Sequence, residues 1–408
     1  MTRVADDFAA AAVRRLLTPE GLADPYSIYR EIREAQVAAE PSRFLVSFTD
    51  VQEAAYDREL SSDRVSSILK PLGPTAREDH ELLHDTLRSI VVFLNQPAHG
   101  RVRRLLLRAF TSRMVDAQQP AIDRAVAGLL DEAGRQERPD LVRTLTYPLP
   151  AVVVGEMLGI PAEDRDRFQQ WALDIVLVVG SGTLTQELAE RAERSVAEMR
   201  AFMADLVARR RADPGPDLLS AMIAANEDGD RLSEDELFAN ALFLMTAGHE
   251  TATNMLSNAI LTLLRHPDQL ELLRSDWDGR LDATTEECLR YEGPVQVAAR
   301  IADRDREFRG RHLRKGQSLV LMLGAANRDP EQFEDPDRFD ITRELKPHVA
   351  FSHGPHFCLG AALARAEMKT VLPALFERYP ALRLARDEVT WQPTLDFRGP
   401  DELVVSLT

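Results

Sequence analysis

The chain is predicted to be mainly α-helical with a small β region. Three observations predict it. Apolar residues recur at helical spacing over most of the 408 residues, interrupted by Pro and Gly. Only three short pieces, "RFLVSFT" (43–49), "QSLVLMLG" (317–324) and "DELVVSLT" (401–408), read as strands. One segment, capped at Ser233 and ended by His266-Pro267, runs without a breaker for roughly 30 residues.

In chain order, the N-terminal "MTRVADDFAAAAVRRLL" carries acids and no sustained apolar run, so it is not a secretory leader. "PLGPT" (71–75) and "DPGP" (213–216) mark loops too short and too poor in Gly and Ser to be flexible linkers. "RVRRLLLRAFTSR" (101–113) holds Arg101, Arg103, Arg104, Arg108 and Arg113 without an acid. It reads either as a solvated helix face or as a docking site for an acidic partner. "IVLVVG" (175–180) is far shorter than the ~20 residues a membrane span needs. No internal repeat or low-complexity tract is present.

The long helix opens on Ser233 and Glu236, a capping-box pair. Its interior, "LFANALFLMTAGH" and then "TATNMLSNAILTLL", is uncharged except for Glu250 between the two. A lone carboxylate in a buried helix is costly unless paired or solvated. Gly248 costs a further ~1 kcal/mol relative to Ala, and Thr251 and Thr253 are mediocre helix formers. Five residues, "AGHET" (247–251), thus break local rules at the middle of the longest helix. Such conflicts mark function, or else a glycine packing notch with a paired acid.

Composition narrows the class. With 44% hydrophobic and 28% charged residues the chain is an ordinary globular protein. A net charge of −16 disfavours nucleic acid and anionic membranes as partners. Two cysteines make no disulfide framework, so a reducing, cytoplasmic setting without membrane attachment is expected. Length alone suggests two or three cores.

The chemistry concentrates at "FSHGPHFCLG" (351–360), followed by the helical "CLGAALARAEMKTVLPALFERYP". A helix N-terminus beside Cys358 stabilises a thiolate, and Gly354 and Gly360 permit backbone geometry a Cβ would block. Three uses compete: a nucleophile with His353 or His356 as base, a zinc site of His353, His356 and Cys358, or an axial thiolate on haem iron. Cys288, mid-helix without flanking glycines, reads as a buried inert thiol.

These residues resemble the haem-binding loop of the cytochrome P450 family, F-G-x-G-x-[HR]-x-C-x-G. Phe351, Gly354, His356, Cys358 and Gly360 match, while Ser352 stands where glycine is usual, so a slightly different turn is expected there. "AGHET" is similar to the family's oxygen-activation motif. The resemblance implies that Glu250 and Thr251 are an acid–alcohol pair for proton delivery, with Ala247 and Gly248 leaving room for O2. Glu287 and Arg290 in "EECLR", spaced to pair on one helix face, with Arg338 in "DPDRFD", resemble a structural triad. His99 and Arg103, Arg300, and His356 match the positions of cations for the haem propionates.

What the resemblance implies is one cytochrome P450 domain over 1–408, with haem b between the long helix and the helix after Cys358. The expected activity is a haem-thiolate monooxygenase that inserts one atom of O2 into an organic substrate in secondary metabolism. Electrons would come from NAD(P)H through a ferredoxin reductase and a ferredoxin, docking on the basic 101–113 face with Arg104 and Arg108. The substrate, free or bound to a carrier protein, would be walled by 61–98, 172–190, Phe243, Leu244, Ala247, Val297, Ala298 and Leu395. A monomer without membrane anchor or fused redox domain is expected. The alternative is a non-catalytic recruitment module that binds a carrier protein; the presence of Cys358, Glu250 and Thr251 weighs against it.

Overall fold

Caps and breakers set the helix ends in the computed structural model, which describes residues 2–38, 42–180, 184–226 and 229–408. The principal helices are α1 (Thr2–Arg15), α2 (Pro25–Ala38), α3 (Phe48–Tyr56), α4 (Glu81–Ser89), α5 (Ala98–Ala109), α6 (Pro148–Met157), α7 (Arg165–Gly180), α8 (Gln186–Ala212), α9 (Glu234–Arg265), α10 (Trp277–Tyr291) and α11 (Ala361–Arg378). The strands are short: β1 (Phe44–Leu45), β2 (Leu60–Ser61), β3 (Val297–Ala302), β4 (Arg306–Phe308), β5 (Arg311–Leu313), β6 (Ser318–Met322), β7 (Arg383–Leu384) and β8 (Val405–Ser406).

The expected capping box forms. The Ser233 N–H donates to Glu236 Oε2 at 3.0 Å, and the Glu236 N–H to Ser233 Oγ at 3.2 Å. Helix α9 then runs 32 residues, about 48 Å at ~1.5 Å per residue, and stops at the residue before His266-Pro267. The strand reading of 43–49 holds for two residues only, because Ser47 accepts the Asp50 N–H at 3.2 Å and starts α3. Conversely, 297–302 is a full strand although Ala298, Ala299 and Ala302 favour helix; pairing with β6 overrides propensity.

The described residues fall into two compact units. The first comprises Met1–Ser61, Val126–Tyr147 and Thr251–Thr408. Its sheet has the order β1-β6-β3-β2, with β1 parallel to β6 and the other pairs antiparallel. Leu45, Phe48, Val51, Leu60, Leu319, Leu321, Phe333 and Val349 form a core against it, each large side chain contributing about 1.5–3 kcal/mol when buried. The C-terminal part of α9 is pinned here by polar side chains. Thr146 and Ser257 hydroxyls meet at 2.7 Å, and Asn258 Nδ2 donates to the carbonyls of Glu292 (3.0 Å) and Arg398 (2.9 Å).

The second unit comprises Ser62–Ala125 and Pro148–Glu250. Phe168, Trp171 and Phe202 form a ring cluster between α7 and α8, with centroids 6.0–6.1 Å apart. Buried Asp174 accepts from Arg191 Nε (2.8 Å) and Ser195 Oγ (2.6 Å). Buried Asn240 fixes the start of α9, taking the Val91 N–H at 2.9 Å and donating to the Ser89 carbonyl at 2.9 Å. Arg101 pairs with Asp230 and Glu236, and Arg104, Arg108 and Arg113 are exposed. No described helix is long and apolar enough to cross a membrane.

Candidate active site

Cys358 sits at the end of a turn that its own neighbours close. Its N–H donates to the Phe351 carbonyl at 3.0 Å, the Phe357 N–H to Gly354 at 3.1 Å and the Ser352 N–H to Val349 at 2.8 Å. Gly354 has φ +68, and a Cβ there would lie 2.9 Å from the Ala55 carbonyl oxygen and 3.1 Å from Tyr56 Cα. Glycine is therefore required by both conformation and space. Ser352 also takes positive φ, +59. The residue that departs from the family pattern thus takes a backbone conformation in which glycine is favoured.

Gly360 caps α11, with φ −84 and no side-chain cap. A Cβ there would meet only Cys358 Sγ at 3.9 Å, an ordinary contact, so the protein itself gives no reason for glycine. All residues 351–360 are partly or fully exposed, Cys358 among the exposed ones, while Val349, Ala350 and Ala361 on either side are buried. Cys288, by contrast, is buried, as expected for an inert thiol, and burial pushes its pKa strongly up. His353 is turned onto α3, its ring against Phe48 and Tyr56 and its Nε2 3.4 Å from Gln52; burial lowers its pKa. No group of three or more His, Cys, Asp or Glu among the described residues is placed to hold a metal ion, so the zinc-type set is not assembled.

In the first unit, the same sheet carries Arg300 on β3, buried, its Nη1 donating to the Ala299 carbonyl at 3.0 Å. Val297 and Ala298 are half-buried on that strand. His356 lies in the short helical turn Gly354–His356 of the Cys loop. Leu395 is half-buried against the core of α1 and α2, in a shallow cleft lined also by Leu16, Tyr29 and Trp391. In the second unit, His99 and Arg103 are one turn apart on α5, where His99 is buried with Nδ1 3.3 Å from Gln96. The expected 172–190 wall includes 181–183, which lie outside the described residues.

Helix α9 shows a narrow opening. From Leu237 to Leu263 every residue is buried except Phe243, Leu244, Ala247, Gly248, Glu250 and Thr251. Except for Glu250, these recur at helical spacing and form one stripe. A Cβ on Gly248 would come 3.2 Å from Val154 Cγ2, so the residue also serves as a packing notch against α6. His249, on the buried side, contacts Gln169 at 3.1 Å. Of the two readings of the pentapeptide, the packing notch is observed at Gly248.

The structural triad is corrected in one member. Arg290 holds Glu287 in a buried fork, Nε to Oε2 at 2.7 Å and Nη2 to Oε1 at 2.8 Å. The third guanidinium is that of Arg343, not Arg338. Arg343 Nε lies 3.5 Å from Glu287 Oε1 and its Nη2 donates to the carbonyls of Asp335 and Arg338, both at 3.0 Å. The Arg338 side chain is 65% exposed, 3.6 Å from Asp340; only its carbonyl joins the cluster, accepting from Arg290 at 3.2 Å. The turn at Asp335, with φ +44, carries the chain round so that Arg343 folds back.

Two side chains missed by sequence reasoning adjoin the loop. Arg365 on α11 forms a bidentate pair with Glu286 at 2.6 and 2.8 Å and lies 4.6 Å from the centroid of the Phe351 ring. Glu286 was readable only as the neighbour of Glu287 in "EECLR"; the two carboxylates leave α10 about 100° apart and reach different partners.

Comparisons with known proteins identify the family. The cytochrome P450 family model matches residues 61–389. The biotin biosynthesis cytochrome P450 of Bacillus subtilis is 35% identical over 389 residues, covering 95% of this chain and 97% of that one. Cytochrome P450 107B1 of Saccharopolyspora erythraea is 40% identical, covering 96% and 91%. The solved structure of P450BioI in complex with a hexadec-9Z-enoic acid ligated acyl carrier protein superposes with TM-score 0.86 at 33% identity, covering 95% of this chain and all of that one. CalO2 gives 0.87 at 33%, covering 96% and 98%. With the thiol loop, the opened central helix and the buried Glu-Arg pair in place, the chain belongs to the cytochrome P450 family.

Proposed function

We propose that Cys358 would hold the iron of haem b and that this chain hydroxylates or epoxidises a largely apolar organic compound. The observation that carries the ligand reading is the exposed thiol at the mouth of a closed turn whose ten residues are all left uncovered. The residues present fit the group: a soft thiolate donor, a glycine at 360 that leaves space beside the sulfur, and a buried cation at Arg300 for an anionic edge. When bound, thiolate-ligated haem supplies the activation of O2 for insertion of one atom into substrate. His99, Arg103, Arg300 and His356 would hold the propionates by charge-assisted hydrogen bonds.

The chain's own part in the chemistry is proton delivery and exclusion of water. Glu250 and Thr251 stand together in the opening of α9, where the Thr251 hydroxyl orders a proton donor and the Glu250 carboxylate relays protons from solvent. Phe243, Leu244 and Ala247 give the stripe an apolar wall for substrate, with Val297, Ala298 and Leu395 assigned to the remaining walls. The family match runs through segments of both units, which supports reading 1–408 as one functional domain.

The substrate class is read from relatives. 6-Deoxyerythronolide B hydroxylase, 37% identical over 396 residues, and the monooxygenase PikC of Streptomyces venezuelae, 37% identical over 391 residues, support a substrate from secondary metabolism. The carrier-protein complex of P450BioI supports a carrier-bound form of it. Electrons would reach the monomeric enzyme in the cytoplasm from a ferredoxin on the face of Arg104 and Arg108. The test is the carbon monoxide spectrum of the reduced protein. Wild type gives the thiolate-type Soret shift and Cys358→Ala loses it; a Cys358→Ala protein that retains the shift refutes the assignment.

A further inference from the structure

We propose that Arg365, fixed by Glu286, is a positioning residue for the Cys358 thiolate: it braces the loop that carries the sulfur and sets a positive charge against that loop. The proposal rests on the reading of Cys358 as the iron ligand. Arg365 lies seven residues beyond Cys358 on α11. Its Nε and Nη2 donate to Glu286 Oε1 and Oε2, at 2.6 and 2.8 Å, and its Nη1 to the Ala361 carbonyl at 3.4 Å. The fork fixes the guanidinium plane, which sits over the Phe351 ring at 4.6 Å. The Phe351 carbonyl in turn accepts the Cys358 N–H at 3.0 Å. One cation therefore links α10, the aromatic at the start of the loop and the residue bearing the sulfur.

The same carboxylate anchors the chain entering the loop. His348 Nε2 lies 3.1 Å from Glu286 Oε2, and His348 Nδ1 accepts the Ala350 N–H at 3.2 Å. An accepting Nδ1 leaves the ring proton on Nε2, pointing at Glu286. Burial pushes the Glu286 carboxyl up, but Arg365 and His348 outweigh it and hold its pKa down to about 2, so it is ionised at neutral pH. The Arg365 pKa is raised chiefly by Glu286, against burial, so the fork holds both charges.

The charges make the idea testable by sign. Adding an electron to a thiolate-ligated iron adds negative charge, which a nearby cation favours and a nearby carboxylate opposes. Arg365→Met therefore shifts the oxidised–reduced equilibrium of the holoenzyme towards the oxidised form, and Glu286→Gln towards the reduced form. Each shift is expected to be about threefold or more, from one charge acting at an effective dielectric of ~20. Arg365→Lys, which keeps the charge and loses the fork, stays near wild type. The measurement is a redox titration of purified holoenzyme followed by its absorption spectrum. Unchanged midpoints in Arg365→Met and Glu286→Gln overturn the proposal, as does a shift of both in the same direction, which is what simple loss of packing gives. The carbon monoxide spectrum of wild type separates the two readings. A wild type without the thiolate-type band overturns the ligand assignment itself, whereas flat midpoints beside a normal band overturn only the role of Arg365.

Discussion

Replacing Gly354 by Ala adds one methyl group to the Cys loop and should cost this protein several kcal/mol. The cost has two sources. At φ +68 an L-residue is disfavoured by roughly 1–2 kcal/mol. The new Cβ would also lie 2.9 Å from the Ala55 carbonyl oxygen and 3.1 Å from both Tyr56 Cα and Tyr56 Cδ1. The ring can swing aside, but the backbone at the end of α3 cannot, and forcing such a contact costs about 1–3 kcal/mol. Together these give about 2–5 kcal/mol, reduced by about 0.4–1 kcal/mol because Ala has fewer unfolded conformations than Gly. Gly360→Ala is the control. Its backbone is ordinary, at φ −84, and its Cβ would meet only Cys358 Sγ at 3.9 Å, so stability should stay within about 0.5 kcal/mol. Urea unfolding of both variants by far-ultraviolet circular dichroism reads the difference. A Gly354→Ala midpoint equal to that of Gly360→Ala would refute the reasoning, because the turn would then tolerate a side chain where the structure leaves no room.

Arg343→Ala should lower stability by about 2–4 kcal/mol, since it strips a buried carboxylate and three loop carbonyls of one charged donor. Arg338→Ala should cost under ~1 kcal/mol, because its side chain is 65% exposed beside Asp340; equal losses in thermal unfolding would contradict the corrected triad. Glu367→Gln should flatten the pH dependence of stability. Burial raises the Glu367 pKa from 4.5 to about 8, so the folded protein keeps a proton that the unfolded chain releases. With wild-type Glu367, stability present below pH ~4.5 is lost as pH rises towards 8, about 1.4 kcal/mol per unit, reaching ~3 kcal/mol by pH 7. Urea titrations at pH 5, 6, 7 and 8 should show the Gln variant losing less; parallel curves for the two proteins would sink the assignment.

Much of the site was legible because function forces residues to violate local rules. Glu250 and Gly248 stand out in an otherwise apolar helix, and both are among the six residues between Leu237 and Leu263 that are not buried. The capping box fixed the start of α9, and His266-Pro267 its end, since both signals are local. Long-range partners left no such trace. Arg338 and Arg343 are alike in sequence, five positions apart on one irregular segment, and only the path of the turn at Asp335 decides which reaches Glu287. Arg365 and Glu286 are 79 positions apart, and no periodicity connects them. Strand β3 was obscured for a related reason: its alanines prefer helix, and the hydrogen bonds that overrule them come from β6.

The Cys loop illustrates where the remaining specification resides. Ser352 holds φ +59, a conformation costing a non-glycine residue about 1 kcal/mol or more, yet the turn does not relax into another path. Its neighbours forbid it. The Ser352 N–H is tied to Val349, Gly354 is wedged against the end of α3, Phe351 lies beneath Arg365, and the Cys358 N–H closes on Phe351. The strain is small beside the burial and hydrogen bonding of the scaffold that imposes it, so it persists in the folded protein. It follows that the sulfur is positioned by folding itself. A ligand taken up by a loop already in place need not spend binding energy on ordering its residues, each worth about 1–2 kcal/mol of backbone entropy. The identity of the residue at 352 then matters less to that position than the rigidity of the two helices on which the loop rests.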